Sequence, residues 1–238
     1  MKETLKALIK KLPIAFTQNQ RYDRQTVEII REVCHATANA VDVGCHKGEI
    51  MDIILENAPN GQHFGFEPLP DLFEGIKDKY PSNVQLFELG LSNKKGTASF
   101  NYVISNPSYS GLQKRRYDKP NEEDTTITIQ INRLDDVLPK DLRVDFIKID
   151  VEGGEYLVLQ GAEQTIKQHQ PVIVFEHGEG GADQYGIQPE QVYEFLVDNC
   201  GMKISTLSNW LKKKSSIDKS TFVKYFWEGT EYYWIAYC

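Results

Sequence analysis

The stretch KIDVEGGE, residues 148–155, ends an apolar run with three carboxylates, Asp150, Glu152 and Glu155, and two adjacent glycines. A second stretch, VDVGCHKGEI at residues 41–50, reads as a buried strand that runs at once into a glycine turn and a helix start. Ligands of open α/β sheets bind at strand ends of this kind. Gly44 lets backbone approach a ligand, and Gly48 lets a helix approach its strand, because neither carries a Cβ. A dinucleotide fingerprint G-x-G-x-x-G starting at Gly44 needs glycine where His46 and Glu49 stand. His46 puts a ring where a pyrophosphate needs bare backbone, and Glu49 adds negative charge at a helix end suited to anions.

Asp42, just before the turn, suits a ligand with a cationic group nearby. S-adenosylmethionine offers an ammonium and a sulfonium and carries no phosphate. Glu67 ends the next strand, HFGFE, where a carboxylate accepts hydrogen bonds from both hydroxyls of a ribose. The same glutamate would serve a nicotinamide dinucleotide, so the pattern of Asp42, Gly44 and Gly48 is what discriminates; helix capping or loop solvation is the plain alternative for Asp42 and Glu67. In ELGLSNKKG, at the end of the third strand, Leu91 could cover a purine face and Ser92 could bond its edge, unless the segment is an ordinary turn. The cofactor candidates are thus Asp42, Gly44, His46, Gly48, Glu67, Leu91 and Ser92.

These residues need a scaffold, and the apolar pattern supplies one. From Ala40 onward, short apolar runs alternate with helical stretches: AVDVG, a helix over residues 47–57, HFGFE, a helix over 71–80, then VQLFELGLS. Repeated β-α-β implies a parallel sheet with helices on both faces. GTASFNYVIS and TTITIQIN alternate like exposed-edge strands, and the aperiodic segment between them, residues 105–124, is long enough to suggest function or disorder. The rhythm resumes with VDFIKID, a helix over 155–168, PVIVFEHG, a helix over 189–199, GMKIST and a closing strand in EYYWIAYC. Ahead of the sheet, Leu5, Leu8, Ile9 and Leu12 suggest one short amphipathic helix, and Val27, Ile29, Ile30 and Val33 a second. The expected division is a helical extension over residues 1–39 packed on a domain over 40–238.

The chain has 238 residues, enough for one large α/β core. Its 27 Lys plus Arg against 34 Asp plus Glu give a formal charge of −7, without a basic footprint for nucleic acid. Cys34, Cys45, Cys200 and Cys238 lie far apart with no C-x-x-C pair, which argues against a zinc site or a disulfide framework and for a reducing cytoplasm. MKETLKALIKKLPIAF is interrupted by lysines and Pro13, unlike a signal peptide, and no run is long enough to span a membrane.

In order and spacing, VDVGCHKGEI, GFEPLPDLFEGIKDKYP, LGLSNKKGTASF, INRLDDVL, DFIKIDVEGGEYLVLQGAEQTI and PVIVFEH resemble the FkbM family of S-adenosylmethionine-dependent methyltransferases. The resemblance covers roughly residues 41–177. It implies the class I methyltransferase fold, a Rossmann-like three-layer sandwich with a seven-stranded, mostly parallel sheet whose last strand is antiparallel, and it implies O-methylation of a small molecule or glycan. By the same resemblance, Asp150 holds the cofactor or borders the reacting atoms, and Glu152 could face the acceptor. Many relatives have alanine at the position of Gly154. Glu155 reads as a first-turn residue complementing the helix dipole.

A hydroxyl acceptor must lose a proton as the methyl moves. His177, ending PVIVFEH, is the first candidate for the base, with Glu152 second. Asp150, Glu152, Glu176 and His177 could also bind a divalent cation, but strand alternation should turn Glu176 away from His177, so no metal is expected. Tyr109, Arg115, Arg116 and Tyr117 make residues 105–124 a candidate lid over the acceptor. Trp210, Phe222, Tyr225, Phe226 and Trp227 either wall the acceptor pocket or cover the sheet edge or a dimer contact. The rival readings are a nicotinamide-dependent oxidoreductase and a scaffold that keeps the fold without turnover.

Overall fold

A computed structural model describes residues 17–115, 117 and 121–238. The first expected helix, at Leu5 to Leu12, lies outside them. The second is α1, Gln18–Val33, opened by a capping box in which Thr17 and Gln20 bond each other's backbone amides.

Seven strands form the main sheet: β1 Ala40–Val43, β2 His63–Phe66, β3 Val84–Phe87, β7 Phe146–Ile149, β8 Val172–Glu176, β9 Lys203–Thr206 and β10 Tyr233–Tyr237, in the order β3-β2-β1-β7-β8-β10-β9. All the paired neighbours run parallel except β10, which is antiparallel to both β8 and β9. This is the class I methyltransferase arrangement. Strands β1, β2 and β7 are buried along their whole length, as central strands covered on both faces must be, which explains their near-continuous apolar sequences.

Alternation along the strands divides the core into two layers. Val41, Val43, Ile147, Ile149, Ile173 and Phe175 point to one face, which packs against α4 Glu155–Gly161, α5 Glu163–His169 and α6 Pro189–Glu194. Ala40, Phe146, Val174 and Ile235 point to the other, against Tyr22, Ile29 and Ile30 of α1 and Ile54 of α2, Glu49–Asn57. The remaining long helices are α3 Pro70–Ile76 and α7 Lys219–Trp227.

The edge-strand expectation needs correction. GTASFNYV is β5, Gly96–Val103, and DTTITIQIN is β6, Asp124–Asn132, and they pair in a separate three-stranded sheet. Its third member is β4, Gly90–Leu91, which pairs parallel with β6. VQLFELGLS is therefore two strands, because the chain leaves the main sheet after Phe87. The helix expected over 155–168 is broken at Ala162, which ends α4 and opens α5. Here a Cβ on Gly161 would stand 2.1 Å from the Ser92 carbonyl oxygen, so the glycine lets α4 press on the end of β4. The helix over 189–199 widens into a π turn at Phe195–Asn199.

Candidate active site

The glycine loop after β1 is shaped by two close approaches. Gly44 has φ +81°, and a Cβ there would lie 2.0 Å from the carbonyl oxygen of Asp150. Bare backbone at this point lets the end of β1 lie against the end of β7. Gly48, at φ +79°, faces the other way, where a Cβ would lie 2.1 Å from Tyr80 Oη. Tyr80 Oη donates toward the Gly48 carbonyl and Asp52 Oδ1, each at 2.9 Å. Gly48 thus admits a tyrosine from beyond α3 rather than helix against strand, and it does not line the cavity below.

A cavity of 530 Å³ opens at the C-terminal ends of β1, β2 and β7. One wall is apolar, with Leu69, Leu72, Leu89, Leu91, Phe100 and Ile129 drawn partly from the small sheet. Another is charged: Glu67, Lys148, Asp150 and Glu152, with His46 at the loop. The α1 residues Asp23, Thr26 and Val27 close one side. Glu67 is buried and already grips two backbone amides, His46 N at 2.8 Å and Leu69 N at 3.0 Å. Burial raises its pKa, and each of its oxygens keeps a lone pair for a further donor.

Lys148 stands opposite Asp42 in the register of β1 and β7. Its Nζ lies 3.4 Å from Asp150 Oδ2, 3.8 Å from Asp42 Oδ1 and 3.4 Å from the Gly44 carbonyl. Burial opposes its charge, but Asp150 and Asp42 beside it prevail and raise its pKa. Asp150 also accepts from Tyr233 Oη at 2.6 Å. Burial pushes Asp150 up, yet Lys148 and the tyrosine hydroxyl together hold it below its ordinary value. Asp42, farther from the lysine and with neither carboxylate oxygen hydrogen-bonded, is pushed by burial up to about 6.

A second cavity of 660 Å³ shares Asp23, Ser108, Asp150, Glu152 and Tyr233 with the first. It is strongly acidic. Asp23, Asp150, Glu152, Glu155, Glu176, Glu179 and Glu231 line it, and among the described residues Arg115 is the one basic side chain on its wall. Arg115 NH1 donates to Glu152 Oε2. Glu155 Oε1 accepts from the amides of Val151 and Gly153, both at 3.0 Å. Its burial wins over those bonds and lifts its pKa to about 7. Burial, then the neighbouring Asp150, raises Glu176 well above the carboxylate range.

The family model described as Methyltransferase FkbM domain matches residues 42–204, which include the glycine loop, Glu67, Asp150 and Glu176. The chain belongs to the FkbM methyltransferase family. Over 215 residues it is 25% identical to a protein named methyltransferase sdnD from Sordaria araneosa, covering 75% of this chain and 81% of that one. It is also 25% identical over 175 residues to part of the AMB antimetabolite synthetase AmbE of Pseudomonas aeruginosa, covering 58% of this chain and 8% of that protein. The crystal structure of an FkbM methyltransferase from Methylobacillus flagellatus KT superposes with TM-score 0.53 at 13% identity, over 86% of this chain and 44% of the other. That likeness is one of fold.

In this FkbM methyltransferase, the cofactor candidates Gly44, His46, Glu67, Leu91 and Asp150 line the first cavity, together with Glu152. Three cofactor candidates do not. Asp42 is wholly buried and does not line the cavity, Gly48 packs on Tyr80, and Ser92 is buried off the wall, its amide donating to Asn132 O at 2.9 Å. The largest correction concerns His177. It has the parity of Ile173 and Phe175, so its ring lies on the opposite face from Glu176. There it is 1% exposed, stacked on Phe222 at 6.2 Å and tilted against Phe226 at 4.9 Å. Neither ring nitrogen has a partner, and burial pushes its pKa down to about 3. It lines neither cavity and is not placed to act as a base.

Phe222 packs on the sheet, Phe226 is buried and also lines the acidic cavity, and Trp210 packs on Tyr237. Of the loop residues, Arg116 lies outside the described set, while Ser108, Tyr109 and Arg115 do line the acidic cavity. Sequence reading assigned no role to Lys148, Tyr233 or the α1 residues. A lysine within the apolar FIKI was a visible signal, because a doubly covered strand accommodates one only beside a carboxylate. Asp23 and Tyr233 carried no such mark.

Proposed function

We propose that this FkbM methyltransferase binds S-adenosylmethionine in the 530 Å³ cavity and methylates a hydroxyl of a small molecule or glycan held in the acidic cavity beside it. The observation that carries the reading is the shared wall: Asp150, Glu152 and Tyr233 belong to both cavities, so a donor and an acceptor would meet there. The donor set suits the cofactor. Glu67 has lone pairs for ribose hydroxyls, the leucine and isoleucine wall suits a purine, Lys148 suits a carboxylate, and Asp150 with Glu152 suits cationic groups. S-adenosylmethionine supplies a methyl group activated on a sulfonium sulfur. The protein's part is to align the acceptor and take its proton, and Glu152, held in place by Arg115, is the candidate proton acceptor.

Similarity to part of an antimetabolite synthetase and the chain's net charge of −7 favour a small acceptor over nucleic acid. Cysteines without disulfides suit a reducing cytoplasm. The test is calorimetric titration with S-adenosylhomocysteine, on the wild type and on Asp150→Ala, followed by a turnover screen on glycans and hydroxylated small molecules. Binding that weakens in the variant, with turnover on a hydroxylated acceptor, supports the proposal. Absence of binding in folded protein overturns it, and binding without turnover on any acceptor would favour a scaffold.

A further inference from the structure

The acidic cavity holds more carboxylate than the proton transfer needs. Asp150, Glu152 and Glu176 each present an oxygen, and these oxygens lie within 4.8 Å of one another. They arrive from separate points of the fold: just past β7, the turn in which Glu152 has φ +58°, and the last residue of β8. The same alternation that hides His177 aims Glu176 here. A fourth carboxylate on the wall supplies an independent observation. Glu155 is 1% exposed, its Oε1 serves two backbone amides, and its Oε2 is buried with no hydrogen-bond partner. A carboxylate oxygen taken from water and left without a donor is costly unless a positive ligand or its water shell faces it.

We propose that this cluster is a divalent-cation site, with Mg²⁺ or Mn²⁺ held by Asp150, Glu152 and Glu176 and a water of its shell donating to Glu155 Oε2. Donors that are all hard oxygens select such ions over zinc. Ligand oxygens around one octahedral magnesium stand about 3–4 Å apart, so modest side-chain rotations close the present spacing. The cavity's 660 Å³ leaves room for waters and an acceptor oxygen. A hydroxyl bound to the cation becomes more acidic; because the cation engages Glu152, the hydroxyl's proton passes through the shell water to Glu155 Oε2 in place of Glu152, the O–H bond breaks and the electron pair stays on the oxygen. That role rests on the hydroxyl-acceptor reading above, whereas the site itself does not.

The test is Mn²⁺ titration of the full chain, freed of metal by chelator and dialysis, followed by electron paramagnetic resonance. One ion per chain should leave the free-ion signal, and excess Mg²⁺ should restore it. Glu176→Gln and Glu155→Gln should weaken uptake roughly tenfold or more, while Glu56→Gln, an exposed carboxylate in the last turn of α2 that lines neither cavity, should not. Circular dichroism checks each fold, and Glu176→Ser, at a residue that lines the acidic cavity alone, replaces any variant that fails to fold. No Mn²⁺ uptake by the wild type, or equal uptake by the cluster variants, overturns the site. Titrating the same samples with S-adenosylhomocysteine reports the other cavity separately, so loss of the cation site and loss of the methyl-donor reading are told apart.

Discussion

Glu176 and His177 are adjacent in sequence and opposite in environment, because successive strand residues face opposite sides of a sheet. Below pH 6.5 the unfolded chain takes up a proton that the buried His177, at about 3, refuses. Stability should therefore fall as pH drops from 6.5 toward 3, with this group contributing about 1.4 kcal/mol per pH unit. His177→Phe removes that slope. Urea denaturation should show the variant losing about 2 kcal/mol less than wild type between pH ~7.5 and ~5, with turnover preserved; a variant without activity would restore His177 to the mechanism. Gly44→Ala forces a Cβ to 2.0 Å from Asp150 O at a positive φ. It should cost about 1–3 kcal/mol of stability in denaturant titrations and weaken S-adenosylhomocysteine binding. Glu67→Ala should weaken that binding by about 1–3 kcal/mol, and unchanged affinity in calorimetry would remove Glu67 from the cofactor wall.

At the scale of elements, α1 is part of the site rather than a preface to it. Tyr22 is buried between Tyr232 and Tyr233, at ring-centroid distances of 4.8 and 5.0 Å, and its hydroxyl donates to Glu231 at 2.5 Å. Through this packing α1 holds Asp23, Thr26 and Val27 against the cavity and supports the tyrosine that bonds Asp150. Tyr22→Ala should destabilise the fold by about 3–5 kcal/mol and lower cofactor affinity, although Tyr22 is not on the wall. Intact affinity in calorimetry would show that α1 does not position the pocket. The small sheet acts from the other side: β5 and β6 bring Phe100 and Ile129 to the apolar wall, and the loop between them brings Arg115 to Glu152.

For the whole molecule, the two cavities sit at one end of the sheet, where loops from five strands converge, and much of the buried charge gathers there. Such a site costs stability in the empty protein that a cationic ligand restores. S-adenosylhomocysteine at one hundred times its dissociation constant should stabilise the fold by about 2.7 kcal/mol, read as a rise in melting temperature of several degrees. Asp150→Ala should abolish the rise at the same ligand concentration.

The order of elements, the parallel sheet and the ligand-facing strand ends were legible in the residues themselves, while the antiparallel last strand was implied by the family resemblance. Apolar periodicity and glycine placement are local properties, and they record whether a strand is covered on one face or two. Gly44, Glu67 and Asp150 were legible for the same reason, since each stands at a strand end. Tertiary structure alone decided which side of the sheet carries the chemistry. The face chosen by α1 is the face of Lys148, Asp150, Glu176 and Tyr233, and it leaves His177 among Phe222 and Phe226. A strand's alternation states that neighbours diverge, but not which of them meets the ligand; that depends on contacts between residues some two hundred positions apart, such as Tyr22 with Glu231.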